Sequence, residues 1–201
     1  MTNIILKLVA LTVMSFLFSQ VHAKDDVKSE AKKAVSASNR QVNKHAIGIG
    51  LGQTFLLGNF ENKGDDKIVA DLLYTYSASY SFDLLLGAHN SKHEYRGKSV
   101  YLRGYTMSIK GRSYEYDSFS PYLLGGLGFY MPEIKDSDGK MSEAKYTFGF
   151  NAGAGVDLRL NQKVIAGLMT HYHYPFEIKQ DETENVRGSY FKLLLTLMYQ
   201  F

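Results

Sequence analysis

From residue 45 onward, apolar and polar positions trade places every second residue, which is the period of a β-strand and not of a helix. The stretch 189–201 shows this most cleanly. One face carries Phe191, Leu193, Leu195, Leu197, Tyr199 and Phe201; the other carries Tyr190, Lys192, Leu194, Thr196, Met198 and Gln200. Aromatic residues end the apolar face and leucines fill its middle. A strand facing a bilayer has that order, with aliphatic side chains in the hydrocarbon and aromatic ones at the two interfaces.

The same alternation, interrupted by turn signals, predicts eight strands. The first covers 45–57, with Ile47, Ile49 and Leu51 opposite Gly48, Gly50 and Gly52. The second covers 68–82, with Leu72, Tyr74, Tyr76, Ala78, Tyr80 and Phe82 on one face and Leu73, Thr75 and serines on the other. A turn at Asp83 leads to a third strand over 84–89, followed by a basic loop. In the fourth, 99–110, Tyr105, Met107 and Ile109 mark an outward face that also turns Arg103 outward. Gly125, Gly126 and Gly128 leave the faces of the fifth, 121–131, unassigned. In the sixth, 146–159, Phe148, Phe150, Ala152, Ala154, Val156 and Leu158 oppose Asn151, Asp157 and Arg159. In the seventh, 164–174, Val164, Ala166, Leu168, Tyr172 and Tyr174 oppose Met169, His171 and His173.

Short connections follow strands two and six, and long ones follow strands one, three, five and seven, as in an up-and-down barrel. An even strand number closes the sheet and leaves no edge, a necessity where no water can satisfy free backbone groups. The rival is a soluble barrel with its apolar residues inside. Here the polar face is built of small residues (Ser77, Ser79, Gly149, Gly153, Gly155) and the apolar face of large ones. The lumen of eight strands is narrow, so the large face is expected in lipid. The expected fold is all-β: a transmembrane, eight-stranded, antiparallel up-and-down barrel over 45–201.

Residues 1–23 read as a signal peptide: Lys7, an apolar run, and a small-residue cleavage pattern ending at Ala23. Residues 24–44 are polar and charged with almost nothing apolar, the composition of a flexible leader. Among 201 residues there is no Cys, which excludes thiolate nucleophiles, disulfides and Cys-ligated metals. A formal net charge of +3 gives no argument for nucleic acid. Mean hydropathy of −0.21 suggests a soluble protein, but interleaved polar positions lower the mean of any barrel.

The final strand resembles the C-terminal strand of bacterial outer-membrane β-barrels, which ends in Phe after alternating aromatic or aliphatic residues. The resemblance implies that Phe201, Tyr199, Leu197, Leu195 and Leu193 are read by the barrel assembly machinery. Two further stretches, Ser120-Pro121-Tyr122-Leu123-Leu124-Gly125-Gly126-Leu127-Gly128-Phe129-Tyr130 and Phe150-Asn151-Ala152-Gly153-Ala154-Gly155-Val156-Asp157, look like the small barrels of the outer membrane protein A, X and W families. That implies an outer-membrane location, and the alternation of short turns with long loops puts both termini in the periplasm. The resemblance also implies outer-membrane lipid and lipopolysaccharide as surroundings, a monomer, and no cofactor.

Candidate chemistry is sparse. His171 and His173 share an inward face at a spacing that suits two metal ligands or polar filling of the lumen; no third ligand is fixed, and no metal site is assigned. Asp157, Arg159 and Lys192 are expected to join them in a lumen network, because charges in a narrow interior need partners. His89-Asn90-Ser91, with Glu94, resembles the His-x-Ser pair of lipid A deacylases, although Lys92 stands where that family has Asn. Lys92, His93, Arg96, Lys98 and Arg103 form a basic cluster suited to lipopolysaccharide phosphates. Asp136-Ser137-Asp138-Gly139 is a fragment of a calcium loop, and Glu177, Asp181, Glu182 and Glu184 make the last loop acidic. The expected role is non-enzymatic, structural or interactive through surface loops. The alternative is a narrow conduit for small solutes, favoured by interior glycines, and the third reading is a lipid A-modifying hydrolase.

Overall fold

The computed structural model describes residues 44–79, 81–112, 119–180 and 185–201. The signal peptide with Ala23, the leader, Tyr80, and Asp181, Glu182 and Glu184 of the acidic loop lie outside them. The strands are β1 (His45–Leu57), β2 (Lys67–Ser77), β3 (Phe82–Tyr95), β4 (Lys98–Arg112), β5 (Phe119–Tyr130), β6 (Glu133–Lys135), β7 (Thr147–Arg159), β8 (Val164–Pro175) and β9 (Ser189–Gln200). Every pairing is antiparallel, and β9 lies on β1 from Ala46↔Gln200 to Leu57↔Ser189, which closes the wall. Eight strands form this wall, and the short β6 adds to β4 alone, above the end of β5.

The closed ladder satisfies the backbone around the wall without recourse to solvent. Side-chain alternation then separates a lumen face from an outer face. The outer face is an apolar belt. At the end holding His45 and Phe201 (the terminal end), Tyr74, Tyr76, Phe82, Phe119, Tyr199 and Phe201 ring the wall. Near the other end (the loop end), Phe55, Tyr105, Phe129, Phe148, Phe150, Tyr172, Tyr174 and Phe191 make a second ring. Between them lie Ile47, Ile49, Leu51, Leu72, Leu86, Met107, Ile109, Leu123, Leu127, Leu168, Leu195 and Leu197, all well exposed. Ring contacts run along the upper girdle: Phe55 stacks on Phe191 at 4.5 Å and Phe150 on Tyr174 at 4.9 Å.

Strand positions largely follow the alternation, with four departures. Phe82 opens β3 and does not end β2; Ala78 and Ser79 donate to its carbonyl, and Ser79 Oγ accepts from its amide at 3.1 Å, making a tight turn. Asp83 belongs to β3, points into the lumen and accepts from Arg112 at 2.7 Å. The basic loop is no loop: β3 runs to Tyr95, and only Arg96 and Gly97 connect it to Lys98, both with positive φ (48° and 81°). Two central residues with positive φ make the turn whose twist matches a hairpin. Finally, the polar connection over 132–144 contains β6.

The lumen is also fuller than its small residues predict. Tyr122, Leu124, Met169, Leu194 and Met198 fill its terminal half, and Tyr130 and Tyr190 its loop half. They fit because glycines opposite them leave room. A Cβ on Gly128 would lie 2.6 Å from the Tyr130 ring, and one on Gly155 2.4 Å from the Tyr122 hydroxyl. We expect Gly128→Val to cost about 1–3 kcal/mol of stability by overpacking, read from denaturant midpoints of the protein folded in lipid vesicles. Adding Tyr130→Ala should recover part of that loss. No recovery would mean that Gly128 is needed for something other than Tyr130.

Candidate functional site

The lumen is layered. Nearest the terminal end lie two ion pairs, Lys110 with Asp157 and Arg112 with Asp83 (2.7 Å), and the Lys110 ammonium also sits 3.9 Å from the centre of the Tyr122 ring. Next comes the apolar layer of Leu73, Leu85, Leu124, Met169 and Leu194. A polar layer follows at mid-height. Lys192 is fully buried, and its Nζ donates to both carboxylate oxygens of Asp71 at 2.7 and 2.8 Å. The two residues belong to β9 and β2, which flank β1, and the lumen row of β1 between Ala46 and Thr54 is Gly48, Gly50 and Gly52. With no side chains on that glycine stretch, neighbours can reach across it; Leu194 comes within 3.1 Å of where a Gly50 Cβ would be.

Three imidazoles share the polar layer. His89 Nε2 pairs with the Tyr190 hydroxyl at 2.7 Å, His171 Nε2 with Asn151 Oδ1 at 3.0 Å, and His173 Nδ1 with the Tyr130 hydroxyl at 3.2 Å. Asn151 is held by the Ser108 hydroxyl (2.6 Å) and donates to the Leu127 carbonyl (3.0 Å). The rings of His171 and His173 are 4.1 Å apart, and those of His89 and His173 5.2 Å. Among the described residues no group of three or more His, Asp or Glu is arranged to hold a metal ion. Above this layer Leu56, Phe60, Val100, Leu102, Ile134, Ile178 and Val186 close the loop end with an apolar cap.

The expected lumen network of Asp157, Arg159, His171, His173 and Lys192 is thus two networks. Asp157 belongs to the terminal layer, and Arg159 ends β7 on that side. His171, His173 and Lys192 belong to mid-height, with the apolar layer between. Their partners Asp71, Asn151, Tyr130 and Tyr190, like Lys110, Asp83 and Arg112 below, are not assigned to a network by the sequence, which offers His89 only as part of a His-x-Ser pair. Inward alternation was the available signal: Asp71 stands among Leu73 and Thr75 on the lumen row of β2.

The hydrolase constellation does not assemble. His89 is bonded to Tyr190, and Ser91 pairs instead with His93 Nε2 at 3.0 Å. Glu94 lies on the outer face, bonded to Lys92 and 3.8 Å from Lys67. His93 is fully buried, and its Nδ1 donates to the Asp65 carbonyl at 2.8 Å, tying the connection after β1 to the β3 edge. Asp136 of the calcium-like fragment meets Lys63 at 3.4 Å, and Glu177 accepts from Asn185 at 2.6 Å.

The basic cluster is likewise divided. Arg96 and Lys98 are at the hairpin tip, where the Arg96 guanidinium lies over the Tyr95 ring at 4.9 Å. Lys92 and Arg103 lie lower, on an outward ledge formed where β3, β4 and β6 rise beyond the aromatic girdle. Lys92 Nζ is 5.5 Å and the Arg103 guanidinium 6.0 Å from the centre of the Tyr101 ring between them. Glu133 on β6 accepts from Arg103 at 3.0 Å. Lys67 starts β2 on the lumen parity, opposite Thr54, and its ammonium reaches over the rim to 3.8 Å from Glu94, at the seam where β2–β3 pairing stops at Asp71↔His89.

No protein-family profile and no curated protein matches the chain. Its fold does match solved structures. Neisserial surface protein A superposes with a TM-score of 0.60 at 12% identity, covering 78% of this chain and 96% of that one. Ail, the attachment invasion locus protein of Yersinia pestis, gives 0.53 at 15% identity, with coverage of 80% and 100%. Escherichia coli outer membrane protein W gives 0.54 at 17% identity, with coverage of 81% and 100%. The fold is therefore that of the small eight-stranded outer-membrane barrels, and at these identities the likeness concerns the fold alone.

Proposed function

We propose that this chain is a non-conducting outer-membrane barrel that acts at the cell surface and catalyses no reaction. The observation supporting this most is the filled lumen. An ion-pair layer, an apolar layer, a hydrogen-bonded polar layer and an apolar cap succeed one another along the axis. An ion or solute on that path would meet buried leucines on one side of the histidines and Phe60, Val100 and Ile134 on the other. In this reading the terminal end faces the periplasm, and the loop end, with the β3–β4 hairpin and β6, is displayed outside. The outward row Leu193, Leu195, Leu197, Tyr199 and Phe201 is the part available to the assembly machinery before insertion.

The test is single-channel recording of the refolded protein in a planar bilayer, with folding confirmed by heat-modifiable gel migration. The expected result is a silent bilayer. Reproducible discrete openings would overturn this reading in favour of the conduit. A further expectation separates the two: Phe60→Ala opens the apolar cap but leaves the leucine layer in place, so the variant should stay silent as well.

A further inference from the structure

We infer that the outward ledge of Lys92, Tyr101 and Arg103, with the Lys67 ammonium reaching over the rim beside it, is a docking site for a phosphate-bearing lipid headgroup of the outer leaflet, of the lipid A kind. The inference rests on the membrane-spanning, surface-displayed reading above and deepens it by naming a partner. Register sets the height. Arg103 is two residues beyond Tyr105, the last ring of the girdle on β4, and Tyr101, opposite Lys92, is two further on. At about 3.4 Å per residue along a strand tilted by roughly 40°, these groups stand roughly 5 and 10 Å above the belt, where headgroups begin. The ledge continues the lipid-facing surface without a break: Ala88 and Tyr105 lie directly below Asn90 and Arg103, and Ile68, 84% exposed, adjoins Lys67.

The charges fit an anion arriving from the membrane side. Arg103 gives Nη1 to Glu133, and its exposed guanidinium carries further N–H groups suited to two phosphate oxygens. Lys67 and Lys92 straddle the β2–β3 seam, both half exposed, and share the single carboxylate of Glu94. Three cations thus face two carboxylates. Tyr101, packed between Lys92 and Arg103, offers a flat surface of the kind that a sugar ring covers. The Lys67–Glu94 contact is the loose one at 3.8 Å, so a phosphate can replace it at little cost. Arg96 and Lys98, at the tip, are too far above the belt to share the same headgroup.

The experiment uses the full chain refolded into phosphatidylcholine nanodiscs containing a small fraction of bis-phosphorylated lipid A, with native mass spectrometry to count lipid A retained on release. A K67Q/K92Q/R103Q variant should retain lipid A about ten-fold less strongly, while K163Q at the terminal end should match the parent. E94Q, which removes the competing carboxylate, should retain it several-fold more strongly. A phosphate-free lipid A analogue should lose the difference between parent and triple variant. Equal retention by parent and triple variant, both showing heat-modifiable migration, would overturn the assignment, as would weaker retention by E94Q. Competition by inorganic phosphate at millimolar concentration would overturn the lipid as its source. Retention lost with a silent bilayer leaves the non-conducting reading standing, whereas openings with retention intact overturn only that reading.

Discussion

Replacing Lys192 by Met while Asp71 stays in place is expected to destabilise the barrel by about 3–5 kcal/mol, the usual cost of stranding one member of a buried ion pair. Lys192 is wholly inside the lumen, and its ammonium donates to both oxygens of Asp71. Without it the carboxylate faces an interior where His89 is held by Tyr190, His171 by Asn151 and His173 Nδ1 by Tyr130, and where, among the described residues, only Thr54 Oγ1 and His173 Nε2 are buried lumen side-chain atoms of this level without a partner. The double variant D71N/K192M carries no lumen charge at this level and should regain most of the loss, because the pair itself adds little once its desolvation is counted. Denaturant unfolding of the three proteins in vesicles measures this. If the single variant is nearly as stable as the parent, water reaches Asp71 and the lumen is wetter than its packing implies. The non-conducting reading would weaken with it.

This pair also shows what the sequence could and could not convey. Lys192 was legible as an inward charge in need of a partner. Its partner, 121 residues away on β2, was not, because pairing across β1 depends on the registers of two ladders and on the glycine row between them. The strand alternation was legible wherever lipid and lumen impose opposite polarity, as in β1, β7, β8 and β9. It failed where both sides are polar. Beyond His89, β3 has Asn90, Lys92 and Glu94 facing water and the polar Ser91 and His93 facing inward beside Leu102 and Val100 of the cap, so no hydrophobic period survives on the strand and the segment reads as a loop. Its strand character comes from the ladder with β4 and from the Arg96–Gly97 turn. The faces of β5 were illegible for a different reason. Gly125 lies on the outer face, whereas Gly126 and Gly128 lie on the lumen face, so three glycines erase the contrast that Tyr122, Leu124 and Tyr130 would otherwise give. Of the ledge, Lys92 and Arg103 were legible as basic residues, whereas Lys67, Tyr101, the carboxylates of Glu94 and Glu133 and the height above the girdle emerge only from register.

Substituting Leu195 by Arg should cost about 2–4 kcal/mol if the outer belt lies in hydrocarbon, and the cost should fall to about 0–1 kcal/mol for the same substitution at Tyr199. Leu195 is 68% exposed. On a protein surrounded by water, Arg at so open a position would change stability by no more than about 0.5 kcal/mol and would improve solubility. The belt predicts the reverse sign of benefit. Leu195 has Leu51 and Leu168 as its cross-strand neighbours, and it stands midway along the row between Phe191 in one girdle and Tyr199 in the other. An Arg there cannot reach water by extending along the wall without crossing Leu193 or Leu197. At Tyr199 the side chain already lies at the interface, so the guanidinium can find headgroups or water. Unfolding free energies in vesicles, measured for Arg at residues 193, 195, 197 and 199, should therefore trace a peak at the centre of the strand. A flat profile would sink the assignment of this face to lipid and, with it, the surface role argued for the ledge, because both depend on where the hydrocarbon ends.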